Sequence, residues 1–169
     1  MLNCMIDVET TGTSPDHAGV IQISAIKFNL TDKSVDNEFF DRCMWLPPGR
    51  FWEEDTRAFW SKHPRVLNEI IGRQEEPHQV MKDLVAWVGY NGARLWAKPT
   101  TFEFPLLSSY FKQFDIQNPF HYRYCTDVQS YIFGRGQDID DVSKVIPFEG
   151  DAHNALHDVL HQIRMVFHV

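Results

Sequence analysis

Two acidic residues near the start of the sequence have a spacing that would let them act together. Asp7 and Glu9 stand two residues apart in an apolar segment that predicts a β-strand. Because side chains alternate along a strand, both carboxylates would leave the same face of the sheet. Adjacent negative charges favour a counter-charge, and hard cations such as Mg²⁺ prefer carboxylate oxygens. The pair therefore indicates a metal site, although a solvent-facing acidic pair at a strand end has the same pattern.

A second group of polar residues lies near the end of the sequence, where His153 and Asp158 are five residues apart. A histidine in the turn that enters a helix and a carboxylate within that helix could both reach the end of a sheet. Histidine accepts a proton from water near neutral pH, which a metal-bound carboxylate does poorly. The alternative is a histidine at a helix N-terminus beside an exposed aspartate.

His157 and His161 follow His153 at intervals of four and could form a metal-binding stripe on a helix. The segment lacks the glutamate of the HExxH zinc motif, and no further ligand set is evident. We therefore predict that His157 and His161 are ordinary helix-surface residues.

Residues 6–12, Ile-Asp-Val-Glu-Thr-Thr-Gly, together with His153 and Asp158 resemble the DnaQ-like, or DEDDh, 3′-to-5′ exonuclease superfamily. The match spans nearly the whole chain. Phe59-Trp60 and residues 96–102 are similar to a small stand-alone branch that includes phage exonuclease A and the bacterial ribonuclease AS type.

This resemblance implies an RNase H-like fold and a two-metal phosphodiester hydrolase that releases nucleoside 5′-monophosphates. His153 would be the general base. The implied ligands of two Mg²⁺ or Mn²⁺ ions are Asp7, Glu9, Glu103 and Asp158. The residues expected to contact the terminal nucleotide are Thr10, Thr11, Gly12 and Phe102, with Trp96 as a further candidate for stacking on a base. Both aromatic residues fit a position in the core equally well.

The middle carboxylate departs from the family pattern, because Glu103 stands where the family has an aspartate after a phenylalanine. Residues 100–103 also fit a capping box, in which Glu103 would accept from the Thr100 amide. We favour the ligand interpretation, since the flanking sequence places Glu103 correctly. Asp127 could instead supply the carboxylate, but we favour a structural role for it at the following helix.

Hydrophobic periodicity predicts the elements that would position these residues. A three-strand meander is followed by βα units, so we expect an α/β, RNase H-like mixed sheet flanked by helices in a single domain over residues 1–169. The predicted strands are 4–9, 20–28, 35–44, 94–97 and 122–125. The predicted helices cover 59–71 with a break near Pro64, 77–88 before Gly89, and stretches around 106–111, 128–133 and 156–167. Residues 134–150 are predicted to be a surface connection.

Composition limits the classes of protein. A chain of 169 residues with 43% hydrophobic content can form one core but is short for two ordinary domains. A formal net charge of −7 argues against a broad basic surface that coats nucleic acid. It allows an enzyme acting on a chain end, since four site carboxylates would contribute much of that charge and bound cations would neutralise it.

The sequence has no apolar run of about 18 residues and its start lacks a signal-peptide pattern, so we expect a cytoplasmic protein without a membrane partner. Cys4, Cys43 and Cys125 form no CxxC pair and are expected to be buried free thiols. The expected partner is the 3′ end of single-stranded RNA or DNA, with RNA slightly favoured, and a homodimer is compatible with the sequence. The alternatives are a DNA exonuclease, a scavenger of short oligonucleotides, or an inactive binding or interaction module on the same fold.

Overall fold

The computed structural model describes residues 1–89 and 91–169. The strands are β1 (Asn3–Thr10), β2 (Val20–Asn29), β3 (Ser34–Met44), β4 (Gln74–Glu75), β5 (Ala93–Ala97) and β6 (Phe120–Asp127). Within the described residues they form one mixed sheet in the order β4-β3-β2-β1-β5-β6. Strands β1 to β3 pair antiparallel, while β5 and β6 continue the sheet parallel to β1. The predicted meander followed by βα units is confirmed.

The helices are α1 (Glu54–Trp60), α2 (Pro64–Gly72), α3 (Pro77–Val88), α4 (Thr100–Gln113), α5 (Val128–Gly134), α6 (Ile139–Val145) and α7 (Ala155–His168). Pro64 separates α1 from α2, because proline fits the first turn of a helix but not its interior. Helix α3 begins at Pro77, and Gly89, with φ of +95°, follows its last residue. The break near Pro64 and the limits of α3 are the predicted ones, whereas α1 begins at Glu54, five residues before the predicted helix.

The prediction for residues 134–150 was wrong in part, because helix α6 lies within them. The Asp138 side chain caps this helix by accepting from the Asp140 N–H. Of its seven residues only Val142 is fully buried, so the apolar pattern is too short to show helical periodicity. The acidic residues suggested a loop, whereas one of them begins a helix.

Alternation along β1 divides its side chains between two faces of the sheet. Cys4, Ile6 and Val8 are buried in a core cluster formed with α3 and α4. Met5 points to the opposite face and packs in a cluster formed with α5, α6 and α7. Burial of each such side chain stabilises the fold by roughly 1.5–3 kcal/mol. The apolar residues therefore determine which face Asp7 and Glu9 share, and that face is covered by α7.

In the part of the chain that the structure describes, no helix is long and apolar enough to cross a membrane. Cys4 and Cys43 are buried free thiols as predicted, while Cys125 is only half-buried.

Candidate functional site

Strand β1 and helix α7 bring three carboxylates together. One oxygen from each of Asp7, Glu9 and Asp158 lies within 4.8 Å of the others. Gln162 lies one turn after Asp158 on the same face of α7 and donates from Nε2 to Asp7 Oδ1 at 2.8 Å. This hydrogen bond connects the strand to the helix at the carboxylate group.

Burial and mutual repulsion make the charged form of this group unfavourable. Burial, followed by the charge of Asp158, raises the pKa of Asp7 to about 8. Burial and then the charges of Asp7, Asp158 and Glu103 raise the pKa of Glu9 well above its ordinary value. Burial also raises the pKa of Asp158 to about 6. The nearby Lys98 ammonium opposes these shifts at Asp7 and Asp158, but it does not remove them. The cluster therefore requires either protons or further positive charge.

Two buried carboxylate oxygens near this group have chemistry that suits a cation. Among the described residues, Glu103 Oε2 and Asp158 Oδ2 have no hydrogen-bond partner, and neither does the amide oxygen Gln162 Oε1. An unsatisfied buried carboxylate oxygen costs free energy, and a hard divalent cation would satisfy it. The donor set is entirely oxygen, which fits Mg²⁺ or Mn²⁺ better than a thiolate-binding metal. Asp7, Glu9 and Asp158 could therefore hold a metal ion, with Glu103 beside them.

Glu103 occupies the first turn of α4 and is 2% exposed. It lies outside the group within 4.8 Å, but its charge interacts with those of Asp7 and Glu9. Burial, and then the charge of Asp7, raises its pKa to about 9.

The capping box predicted as the alternative for Glu103 does not form. The Thr100 N–H instead donates to Asp127 Oδ2 at 3.1 Å. Asp127 Oδ1 accepts from the Ser130 N–H at 2.8 Å, so Asp127 is also the N-cap of α5. Asp127 thus joins the start of α4 to the start of α5, in agreement with its predicted structural role, and both of its oxygens have partners.

His153 immediately precedes Asn154, the N-cap of α7, and has a φ of +65°. Its ring contacts Phe59 edge-on at a centroid distance of 4.8 Å, and it contacts His63 at 4.6 Å. Phe59 and His63 also contact each other at 4.8 Å. Burial, and to a lesser extent the charge of His63, lowers the pKa of His153. The ring is therefore held by two aromatic neighbours and is mainly neutral near pH 7.

The turn after β1 is braced by its own polar groups. The Thr11 hydroxyl is fully buried, donating to the Phe51 carbonyl and accepting from the Gly19 N–H, both at 2.7 Å. Thr10 Oγ1 donates to the Gly12 carbonyl at 2.8 Å. A Cβ on Gly12 would lie 2.3 Å from the carboxyl carbon of Glu53, so a larger residue there would have to displace the Glu53 side chain. These contacts leave the turn's backbone, rather than the Thr11 hydroxyl, for any contact with a ligand.

The two aromatic candidates near β5 differ in exposure. Phe102 is half-buried against the core, whereas Trp96 is 3% exposed and donates its indole N–H to Asn3 Oδ1 at 3.0 Å. The suggestion that Trp96 stacks on a base was wrong, because its ring is enclosed between Phe28 and Tyr131.

His157 and His161 of α7 are half-buried rather than on the surface as predicted. His157 Nδ1 accepts from the Asp151 N–H at 2.8 Å, and the His161 ring lies 5.0 Å from Phe148. The reason is that the segment before α7 folds back over the start of that helix. Sequence reasoning also gave no role to Lys98, Gln162 or His63. A lysine and a glutamine carry no motif, and only the fold brings them to the carboxylates.

Solved structures that are similar in fold to this chain include exonucleases. Exonuclease I has a TM-score of 0.75 and 14% sequence identity over 97% of this chain and 39% of its own. The zinc-bound complex of E. coli exonuclease I with single-stranded DNA has the same TM-score at 15% identity, covering 98% of this chain and 39% of its own. The nuclease domain of 3′hExo, a DEDDh family member bound to rAMP, has a TM-score of 0.64 at 13% identity and covers 99% of this chain and 90% of its own. The chain thus has the RNase H-like fold of the DEDDh exonucleases, and it spans about two-fifths of the exonuclease I chains.

The chain belongs to the Rv2179c-like family, whose sequence model, described as a 3′-5′ exoribonuclease Rv2179c-like domain, matches residues 2–169. No curated protein sequence matches the chain. The family is described by exoribonuclease activity, and the fold is shared with a nuclease domain of the DEDDh family.

Proposed function

We propose that residues 1–169 act as one exonuclease domain that hydrolyses the 3′-terminal phosphodiester of single-stranded RNA and releases nucleoside 5′-monophosphates. The observation that carries this proposal is the convergence of Asp7, Glu9 and Asp158, with oxygens within 4.8 Å of one another. The preference for RNA rests on the description of the family.

Asp7, Glu9, Glu103 and Asp158 would hold two Mg²⁺ or Mn²⁺ ions. Ions bound there would supply Lewis-acid stabilisation of the phosphate charge and would lower the pKa of a bound water. The carboxylates would bind as anions, although burial raises their pKa values in the absence of metal. Loading the site should therefore release protons near neutral pH.

His153 would accept the proton of the attacking water. Its lowered pKa keeps the imidazole mainly neutral and able to accept a proton at pH 7. Phe59 and His63 would act as positioning residues, because both contact the His153 ring. Phe59 is itself fixed through Trp60, whose indole N–H donates to the Thr10 carbonyl at 2.9 Å. This contact ties the ring cluster to the end of β1.

The terminal nucleotide would lie between the turn of Thr10, Thr11 and Gly12 and the half-buried Phe102. The buried Thr11 hydroxyl would hold the turn in shape, while the turn's backbone contacts the nucleotide. Phe102 lies in the first turn of the helix that carries Glu103 and could place its ring edge against the last base or sugar.

The test is incubation of the purified protein with single strands of RNA, labelled at either the 3′ or the 5′ end, in the presence of Mg²⁺, Mn²⁺ or a chelator. We expect labelled mononucleotide at once from the 3′ label and a ladder of shortening strands from the 5′ label. Asp7→Asn serves as the inactive control. Metal-independent cleavage, or internal cuts, would contradict the proposal, and a fully inert protein would favour a binding module.

DNA is the second candidate substrate. It is favoured by the solved complex of E. coli exonuclease I with single-stranded DNA, which shares this fold. DNA strands of the same sequence therefore belong in the same assay. A DNA turnover equal to or above that of RNA would assign the chain to DNA ends, because no 2′-hydroxyl contact would then be needed.

A further inference from the structure

Strand β6 carries an exposed group of aromatic and cationic side chains that the catalytic site does not use. The strand forms one edge of the sheet. Its register with β5 shifts between Ala93, which pairs with Phe120, and Leu95, which pairs with Cys125. Two steps along β5 thus correspond to five along β6, and the extra residues bulge out of the strand. We call His121, Tyr122, Arg123 and Tyr124 the β6 bulge.

The rings of the β6 bulge are accessible and arranged as a group. Tyr122 is 64% exposed and Tyr124 is 42% exposed. The His121 ring stacks on Tyr122 at a centroid distance of 4.5 Å and lies 5.7 Å from Tyr124. The Arg123 backbone N–H donates to His121 Nδ1 at 3.2 Å, so the group is braced before any ligand arrives.

Two guanidinium groups add positive charge to these rings. Arg123 lies 5.7 Å from the Tyr122 ring centroid and donates to its hydroxyl at 3.2 Å. Arg94 of β5 lies 6.0 Å from the Tyr124 ring centroid. Over residues 1–89 and 91–169, neither guanidinium forms an ion pair, whereas Arg42, Arg65, Arg73 and Arg164 all do. Residues 116–126 contain no aspartate or glutamate, so this is a locally cationic surface on an acidic chain.

We propose that the β6 bulge and Arg94 bind single-stranded nucleic acid, as a platform for the part of the substrate strand that lies 5′ to the reacting end. Rings that stack on bases of any sequence and cations that contact phosphates are the combination by which proteins bind single strands without base selectivity. A second copy of the chain would meet the same unpaired cations, and it offers no compensating carboxylates of its own in this segment. The proposal rests on the proposed function for the identity of the strand.

The sheet register places this platform within reach of the site. Met5 of β1 pairs with Trp96 of β5, so Asp7 is level with residue 98. Arg94 is four residues earlier, which is about 13 Å along the strands. Strand β6 lies two strand spacings from β1, which adds about 10 Å across the sheet. A strand of a few nucleotides spans this distance. A dinucleotide held at the carboxylates does not.

The test compares Tyr122→Ala/Tyr124→Ala with a control, Phe39→Ala, which removes an exposed ring from β3. Binding of a fluorescent RNA of about 12 nucleotides, within the range such surfaces contact, is measured with chelator present so that no hydrolysis occurs. We expect the double variant to weaken binding at least about ten-fold, given what stacking contributes per base. Tyr122→Phe/Tyr124→Phe, which keeps both rings, should bind like the parent, as should Phe39→Ala.

Turnover of a dinucleotide and of the long strand separates this surface from the catalytic site. The double alanine variant should keep the kcat/KM of the parent on the dinucleotide and lose about ten-fold on the long strand. Arg123→Ala should lower the slope of log Kd against log salt by about 0.7, the share of one phosphate on a single strand, while the exposed Lys82→Ala leaves it unchanged. If the parent binds RNA but hydrolyses neither substrate, the proposed function is wrong. The binding measurements on the variants would still test the platform.

Equal binding by the parent and the double alanine variant would overturn the platform. So would a variant that binds RNA normally but changes from dimer to monomer in sedimentation, because the β6 bulge would then be a contact between copies. A variant that loses folding, judged by its Tm, is replaced by Tyr122→Ser alone, since the more exposed ring is not part of the core. Unchanged binding by that folded variant would equally refute the proposal.

Discussion

Replacing Asp7 by asparagine should remove activity and, without metal, stabilise the protein. The side chain is 9% exposed and lies among carboxylates, so its ionised form is costly. Asparagine has nearly the same volume, and its carbonyl oxygen could still accept from Gln162 Nε2. Its amide N–H groups would face Glu9 and Asp158, which accept hydrogen bonds. The substitution thus removes repulsion and retains the existing contact.

The magnitude follows from the pKa of Asp7. A pKa of about 8 in the folded state, against an ordinary value of 3.8, means that Asp7 takes up a proton when the chain folds at pH 7, which costs about 4 kcal/mol of folding free energy. Burying the asparagine amide offsets roughly 1–3 kcal/mol of that relief. A net gain of about 1–3 kcal/mol should raise the Tm on the order of 5 °C for a chain of this length.

Metal should reverse the order of stability. A cation bound to the parent stabilises it in proportion to the logarithm of its concentration above Kd. The Asp7→Asn variant lacks one ligand and should gain little. Losing a ligand that stabilises the transition state by several kcal/mol should lower turnover by at least about 10²-fold.

The assay is a pair of thermal melts at pH 7, one with chelator and one with Mn²⁺, together with single-turnover hydrolysis of labelled RNA. Asp36→Asn, at an exposed position on β3, is the matched control and should alter neither quantity. A variant that melts below the parent in chelator, gains the same stability from Mn²⁺ and turns over at near the parental rate would refute both the electrostatics and the metal site.

Three further outcomes follow from the same geometry. His153→Ala should slow the chemical step roughly 10²–10⁴-fold, while Mn²⁺ binding, measured by calorimetry, should persist. A variant that loses metal binding but keeps its rate per bound ion would instead make His153 a metal ligand. Glu103→Ala should abolish nearly all turnover, and Glu103→Asp should retain much of it. Asp127→Ala should cost about 0.5–2 kcal/mol of stability and leave the rate per folded molecule intact. If Asp127→Ala loses turnover and Glu103→Ala loses only stability, Asp127 is the ligand and Glu103 has the structural role. In the metal-free protein, Asp7 should contribute its full stability below about pH 4, and this contribution should be lost as the pH rises through about 8, because the folded state keeps the Asp7 proton to a higher pH than the unfolded state does. Denaturant melts that show stability rising between about pH 4 and about pH 8 would contradict the raised pKa.

Local stereochemistry allowed several features to be predicted from the sequence. Alternation along β1 was sufficient to put Asp7 and Glu9 on one face, because the side-chain period of a strand does not depend on its neighbours. Pro77 and Gly89 predicted the limits of α3 for the same reason, since both act through their own backbone angles.

Other features depended on competition between distant partners. Residues 100–103 have the local pattern of a capping box, but Asp127 at the end of β6 accepts from the Thr100 N–H, and the buried Glu103 Oε2 has no hydrogen-bond partner. Helix α6 was missed because it has a single fully buried residue, Val142, and therefore no periodic apolar face. Val142 packs in the core cluster that includes α5 and α7. In both cases a local pattern was compatible with two structures, and a non-local contact selected one.

The sequence by itself determined the types of residue available for chemistry and the face of β1 on which two of them lie. Only the tertiary structure decided which residues meet. Gln162 bonds to Asp7 across 155 positions, and the Lys98 ammonium lies near the carboxylates without any motif to mark it. The rings of Phe59 and His63 reach His153 because Trp60 packs in the core and bonds to the end of β1. These distances follow from how helices pack on the sheet, and the free energy of that packing belongs to the whole core rather than to any segment of the sequence.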